Sequence, residues 1–179
     1  MKRYMVRAFI GILIPDEIKG PLTEVGERLK ALGVKGKFIE SENLHISLSF
    51  LGEVGDTKAE RINPKLDDIS KSYEKFEITI DGILLIPNGS FIRVIAADVK
   101  SDLLESLRKE IVKNIGGKSH SAHLTLARIS SINERDKFRE KVNRIYPKLT
   151  FKIDSVCLIK SELGESGPIY TILHKSHLK

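Results

Sequence analysis

The chain has 179 residues, 41% of them hydrophobic and 30% charged, a length and balance that indicate one folded, soluble domain or two small lobes. Its formal charge of +6 favours an anionic partner, nucleic acid first, although surplus lysine also serves solubility alone. A single cysteine, Cys157, excludes an internal disulfide and a cysteine-rich zinc site, and no stretch approaches the roughly 20 apolar residues of a membrane span.

Lys2, Arg3 and Arg7 ahead of the apolar run 8–14 have the outline of a signal peptide. The run is short, holds Gly11 and ends at Pro15-Asp16 without a small-residue cleavage site, so 3–14 reads as an opening strand and the protein as cytoplasmic. Pro15 and Asp16 then start a helix that Gly33 ends. Strands are expected at 37–40 and 44–51. A helix follows over 56–73, which Pro64 should break or restart. Apolar runs at 76–86 and 91–99 flank Pro87-Asn88-Gly89-Ser90, and Asn-Gly between such runs predicts a hairpin. Ser101 is placed to cap a helix over 102–115 with apolar spacing at Leu103, Leu104, Leu107, Ile111 and Ile115, and Gly116-Gly117 stop it. A strand at His123, a helix over about 133–145 and strands at 149–159 and 169–173 complete the chain. Cys157 falls within an apolar run and reads as a buried thiol. Absence of Trp and Gln, with abundant Lys and Glu, resembles the composition of proteins from hot environments.

The order strand, helix, strand, helix, strand occurs twice, which predicts an α+β fold of two lobes. The halves fall at about 1–88 and 89–179, with at least some antiparallel pairing and the possibility that lobes exchange strands. Each half carries one copy of a short pattern. His45-Ile46-Ser47-Leu48 recurs 78 residues later as His123-Leu124-Thr125-Leu126. In a strand, successive side chains alternate faces, so each copy sets an imidazole beside a hydroxyl over an apolar back. One such segment alone is more often a structural histidine; the repetition is what points to function. If the two fronts meet, one imidazole can take a proton while the other gives one, and the hydroxyls can hold an anion. That set of groups suits the opening of a phosphodiester.

The residues around both copies extend the pattern. Glu42-Asn43-Leu44-His45, Phe50-Leu51-Gly52-Glu53, 121–128 and Gly167-Pro168-Ile169-Tyr170 together resemble the 2H phosphoesterases, in particular the RNA 2′,3′-cyclic phosphodiesterases also known as 2′-5′ RNA ligases. Ser47 stands where threonine is commoner in that family, and the hydroxyl is kept. The resemblance implies a duplicated two-lobed fold, largely antiparallel, with helices outside and a cleft between lobes. It implies His45 and His123 as the catalytic pair, with Ser47, Thr125 and Arg128 holding the phosphate. A substrate RNA ending in a 2′,3′-cyclic phosphate, such as a tRNA half, no cofactor, no metal and a monomeric state are expected. The near symmetry of the motifs does not separate acid from base; His45 as acid and His123 as base is the first assignment.

Arg128 lies five residues beyond His123, an odd offset that strict alternation sends to the opposite face unless the strand ends, twists or bulges near Ala127. Phe50 has the same parity and reads as a core residue; with Phe91 and Tyr170 it is a weaker candidate for base stacking. Gly116-Gly117-Lys118-Ser119 lacks the earlier glycine and the preceding strand of a phosphate-binding loop, and reads as a flexible approach to the second motif. His120 with His123, and His174 with His177, have metal-ligand spacing without completing ligands. His120 is expected in a loop, and His174 and His177 in a tail that frays.

Overall fold

The computed structural model describes residues 5–145, 148–165 and 167–179, so Lys2 and Arg3 of the opening segment lie outside the described residues. In chain order the elements are β1 (Met5–Leu13), α1 (Asp16–Ala31), β2 (Val34–Phe38), a 3₁₀ turn at Ser41–Asn43, β3 (His45–Gly55), α2 (Asp56–Lys71) and β4 (Phe76–Pro87). There follow β5 (Ile92–Lys100), α3 (Asp102–Asn114), β6 (His123–Ile132), α4 (Arg135–Val142), β7 (Lys148–Ile153), β8 (Ser155–Leu163) and β9 (Pro168–His177).

Among the described residues the nine strands form one antiparallel sheet in the order β7-β4-β5-β6-β3-β1-β8-β9, with β2 also paired to β6. This α+β sheet has a centre of near symmetry at the β3–β6 seam. β4, from the first half of the chain, lies on the β6 side; β8 and β9, from the second, lie on the β3 side. One face packs on the helices. Ile18, Leu22, Val25 and Leu29 of α1 and Leu104, Leu107 and Ile111 of α3 are buried against alternate strand residues such as Ile10, Ile12, Ile46, Leu48, Ile95 and Leu124. The opposite face carries a smaller cluster of Phe9, Cys157 and Ile159, packed with Leu13 and Tyr170.

Most expected elements form, and the exceptions have identifiable physical causes. α2 runs through Pro64. The lost N–H costs one backbone bond, and burial of Ile62, Leu66 and Ile69 on the core keeps the helix continuous. The strand expected over 149–159 is two strands, because the chain changes partners at Asp154: β7 pairs with β4, and β8 with β1 and β9. Asn88 Oδ1 accepts from the N–H groups of Ser90 (2.9 Å) and Phe91 (3.0 Å), so the hairpin has a four-residue loop in place of a tight Asn-Gly turn. Ser101 caps α3 as expected, its side chain accepting from Leu104 N–H.

The tail does not fray. β9 runs to His177, Leu178 is buried, and its N–H donates to the Asp154 carbonyl at 2.8 Å. Asp67 of α2 anchors this strand: Oδ1 accepts from Ser176 Oγ at 2.6 Å and bonds His174 Nε2 at 2.8 Å. Burial alone would raise the Asp67 pKa, yet the two hydrogen bonds hold it below the usual carboxylate value. The sign follows: the group's contribution is present above the unfolded carboxylate pKa and is lost as pH falls through the lower, folded one. Asp67→Ala leaves the buried Ser176 hydroxyl without its acceptor and is expected to cost about 1–3 kcal/mol in denaturant unfolding near neutral pH, with less difference from the parent protein in acid.

Candidate active site

The site forms at the seam. Among the described residues a single pair, Ile46–Leu124, joins β3 to β6, and both side chains are fully buried on the helical side. Alternation sends the neighbouring residues of each strand to the other face. Continuing the antiparallel register by one residue sets His45 across from Thr125 and Ser47 across from His123. The two imidazoles therefore occupy one diagonal of a four-cornered site and the two hydroxyls the other. Both hydroxyl-bearing residues are partly exposed, and among the described residues neither hydroxyl is tied to a protein partner.

Both rings are held in one way. His45 Nδ1 is 2.7 Å from the Asn43 carbonyl, and His123 Nδ1 is 2.9 Å from the Ser121 carbonyl. A carbonyl only accepts, so each Nδ1 keeps its proton and donates, and Nε2 is the nitrogen left for chemistry. The environments differ. His45 packs against Phe9 (ring centroids 4.8 Å) and edge-on to Tyr170 (5.0 Å), with Leu13 as its cross-strand neighbour. Burial in this cluster pushes its pKa below the usual histidine value. The Asn43 carbonyl opposes the shift, while the Arg128 and His123 charges add to it. The cross-strand neighbour of His123 is instead Asp98, which lies 3.7 Å from Lys100. One histidine stands on an aromatic wall and the other on a charged one.

Arg128 joins the site through a bulge. Thr125 pairs with Ala96 but Ala127 pairs with Ile95, leaving Leu126 as an extra residue. Leu126 and Ala127 are consecutively buried, and Arg128 returns to the imidazole face, where its charge adds to the lowering that burial gives the His45 pKa and opposes the rise that burial gives Tyr170. β3 repeats the device. Ser47 pairs with Gly11 and Ser49 with Ile10, so Leu48 is extra and Phe50 emerges 46% exposed. Phe50 is thus a surface residue on the site face and not the core residue its parity suggested. It occupies the position in the first motif that Arg128 occupies in the second.

The segment before the second motif is pinned, where a flexible approach was expected. Phe50 and Lys118 exchange backbone hydrogen bonds at 2.7 and 2.8 Å, and Ser49 Oγ donates to the Gly116 carbonyl. Gly117 takes φ +102°, and a side chain there would collide with Ser49 Oγ. Ser119 Oγ donates to the Leu48 carbonyl and accepts from Arg108, which pairs with Glu105; Glu105 in turn accepts from Ala122 N–H. The loop thereby ties both motifs to α3. His120 is an exposed loop residue. His174 is engaged by Asp67, and Phe91 lies at the β4–β5 hairpin under Arg93. Among the described residues no three His, Cys, Asp or Glu side chains cluster as metal ligands. Cys157 is buried, and burial pushes its thiol pKa up.

Comparison with known proteins gives a consistent picture. The family model of LigT-like phosphoesterases matches residues 12–96, which includes the first motif. The chain is 35% identical to the RNA 2′,3′-cyclic phosphodiesterase of Methanothermobacter thermautotrophicus, over 93% of this chain and 95% of the relative. It is 32% identical to the protein of that name from Methanocaldococcus jannaschii, over 94% and 98%. In fold it resembles the E. coli LigT complexed with ATP (TM-score 0.77, 20% identity, 98% and 99% covered) and TT0787 of Thermus thermophilus (TM-score 0.77, 22% identity, 96% and 97% covered).

The unequal walls give a measurable asymmetry. In an NMR titration of the free protein, the His45 ring should titrate below the ordinary value near 6.5, and added phosphate-bearing product should raise it, because an adjacent anion favours the imidazolium. A His45 midpoint above that value in the free protein would contradict the desolvation argument.

Proposed function

The chain belongs to the LigT-like phosphoesterase family, and we propose that it is an RNA 2′,3′-cyclic phosphodiesterase whose site residues are His45, His123, Ser47, Thr125 and Arg128. Residues 1–179 act as one two-lobed domain, each half supplying one motif. The observation that carries the reading is the diagonal arrangement: two imidazoles with Nδ1 anchored and Nε2 free, crossed with two unengaged hydroxyls.

A cyclic phosphate bridging ribose O2′ and O3′ needs three things. One Nε2 lone pair takes a proton from water as its oxygen attacks phosphorus. The other Nε2–H gives a proton to O3′ as the P–O3′ bond breaks, leaving a 2′-phosphate. Ser47 and Thr125 donate to the non-bridging oxygens and Arg128 adds a guanidinium, so charge gained in the transition state meets donors already in place. The groups that move protons and hold the anion all come from the chain itself. With a ribose hydroxyl in place of water, the same steps make a 2′-5′ linkage.

Burial favours the neutral form of His45 in the free protein, which suits its Nε2 lone pair to take a proton. The assignment of His45 as acid requires the substrate's anionic phosphate to return that proton. In either distribution only one of the four protonation states of the pair works, so the rate is bell-shaped in pH and its limbs belong to the pair. A substrate RNA fits the chain's surplus positive charge.

His45→Ala and His123→Ala should each lower turnover of a 2′,3′-cyclic dinucleotide by at least about a hundredfold, the scale of losing a general acid or base. Ser47→Ala and Thr125→Ala should cost less, since water can partly replace a hydroxyl. A folded histidine variant with near-normal turnover would overturn the mechanism, and a 3′-phosphate product by phosphorus NMR would overturn the direction of opening.

A further inference from the structure

The two motif histidines are held alike at the ring and differently behind it. In each case the carbonyl that accepts from Nδ1 belongs to the peptide unit just ahead of the histidine. For His123 that unit joins Ser121 to Ala122. Its C=O accepts from the ring at 2.9 Å, and its N–H donates to Glu105 Oε1 at 2.9 Å. For His45 the unit joins Asn43 to Leu44, and its N–H donates to the Ser41 carbonyl at 3.3 Å, within the 3₁₀ turn. One ring is therefore backed by a neutral carbonyl of its own turn. The other is backed, across one peptide group, by a carboxylate of α3.

Glu105 is engaged at both oxygens. Oε1 serves Ala122, while Oε2 accepts from Arg108 Nε at 2.9 Å and pairs with Nη2 at 2.8 Å. Burial alone would raise the Glu105 pKa, yet the hydrogen bonds from Arg108 and Ala122 N–H, with the Arg108 and Lys109 charges, hold it below the usual carboxylate value. At neutral pH it is an anion, which only accepts. In a trans peptide the N–H and C=O point opposite ways, so fixing the Ala122 N–H on Glu105 aims the Ser121 carbonyl at the ring. Were that unit to turn over, an N–H would face Nδ1. Nδ1 would then accept, Nε2 would carry the hydrogen, and the neutral ring would have no lone pair toward the phosphate.

We propose that Glu105 is a positioning residue for His123, acting through the Ser121–Ala122 peptide to keep the proton on Nδ1 and leave Nε2 for the chemistry. The proposal rests on the phosphodiesterase reading and adds to it a residue that touches neither phosphate nor ring. Both roles open to His123 need the same form. A base needs the lone pair on Nε2, and an acid that has given up its Nε2 proton ends with that lone pair. The chain of two hydrogen bonds also has its negative end away from the ring and its acceptor toward it, so it strengthens as the ring becomes a cation.

The test replaces Glu105 with glutamine, which keeps the shape. A carboxylate offers one oxygen to each of two donors; an amide offers one oxygen in all, and Arg108 takes it. The amide NH₂ of Glu105→Gln then faces the Ala122 N–H, and the peptide loses its hold. In nitrogen NMR of the imidazole rings, recorded above the ordinary histidine range, the parent protein should show neutral His123 as the Nδ1–H form. Glu105→Gln should add an Nε2–H population at His123 and leave His45 unchanged. Its kcat on a 2′,3′-cyclic dinucleotide should fall about tenfold with KM within about twofold. Ser119→Ala cuts the tie from Arg108 to the Leu48 carbonyl but leaves Glu105 on Ala122. It should lower stability, keep the His123 form and leave kcat within about twofold of the parent. An Nε2–H ring at His123 in the parent protein overturns the proposal without any variant. So does a folded Glu105→Gln protein whose His123 form is unchanged, or a Ser119→Ala protein that loses as much turnover as Glu105→Gln. A parent protein that does not open the cyclic dinucleotide would overturn the phosphodiesterase reading, and the ring measurements would still decide the part of Glu105.

Discussion

The structure depends on the buried contact of Ile46 with Leu124 at the seam of the sheet. A strand has a period of two, so fixing one apolar residue against the helices fixes the face of every neighbour until a bulge intervenes. Slipping either strand by one residue would turn two buried apolar side chains to solvent, each contributing roughly 1.5–3 kcal/mol, and would drive an imidazole into the core. That penalty is a large part of the stability of any domain this size. The position of the histidines is thus set by packing on the far side of the sheet, and their ring orientation by the Asn43 and Ser121 carbonyls.

A site built from two copies of one motif would be symmetric if its neighbours were, and they are not. The extra residue at Leu48 delivers a phenyl ring, and the extra residue at Leu126 delivers a guanidinium. β1 supplies Phe9 and Leu13 around His45, and β5 supplies Asp98 beside His123. Desolvation in the aromatic cluster therefore favours the neutral form of His45. Acid–base catalysis needs one imidazole protonated while the other is neutral, and repulsion between two imidazolium charges in one site favours that state. The two motif copies create the pair, and the flanking strands give its members different surroundings.

The sequence reveals this arrangement as far as its signals are local. Strand alternation places His45, Ser47, His123 and Thr125 on one face, and Ser101 and Gly33 mark helix ends because capping and positive φ have residue preferences. What depends on partners distant in the chain is not visible. The bulges at Leu48 and Leu126 leave no residue signature, so the faces of Phe50 and Arg128 could not be read past them. Pro64 breaks a helix by local rules and is overridden by burial of Ile62 and Leu66. The split at Asp154 and the ordered tail arise from pairing with β1 and β4 and from the hold of Asp67, none of which lies nearby in the chain. The loop at 116–122 looks flexible from its glycines, yet Gly117 is there because Ser49 leaves no room for a side chain.

The central claim is that His45 and His123 serve one phosphate. A structure of the protein with its 2′-nucleotide product tests it most directly. The account predicts the product phosphate within hydrogen-bond reach, about 2.6–3.2 Å, of Nε2 of both histidines, with the Ser47 and Thr125 hydroxyls on its oxygens. A phosphate that contacts one histidine alone, or that is held by Arg128 away from both, would contradict it.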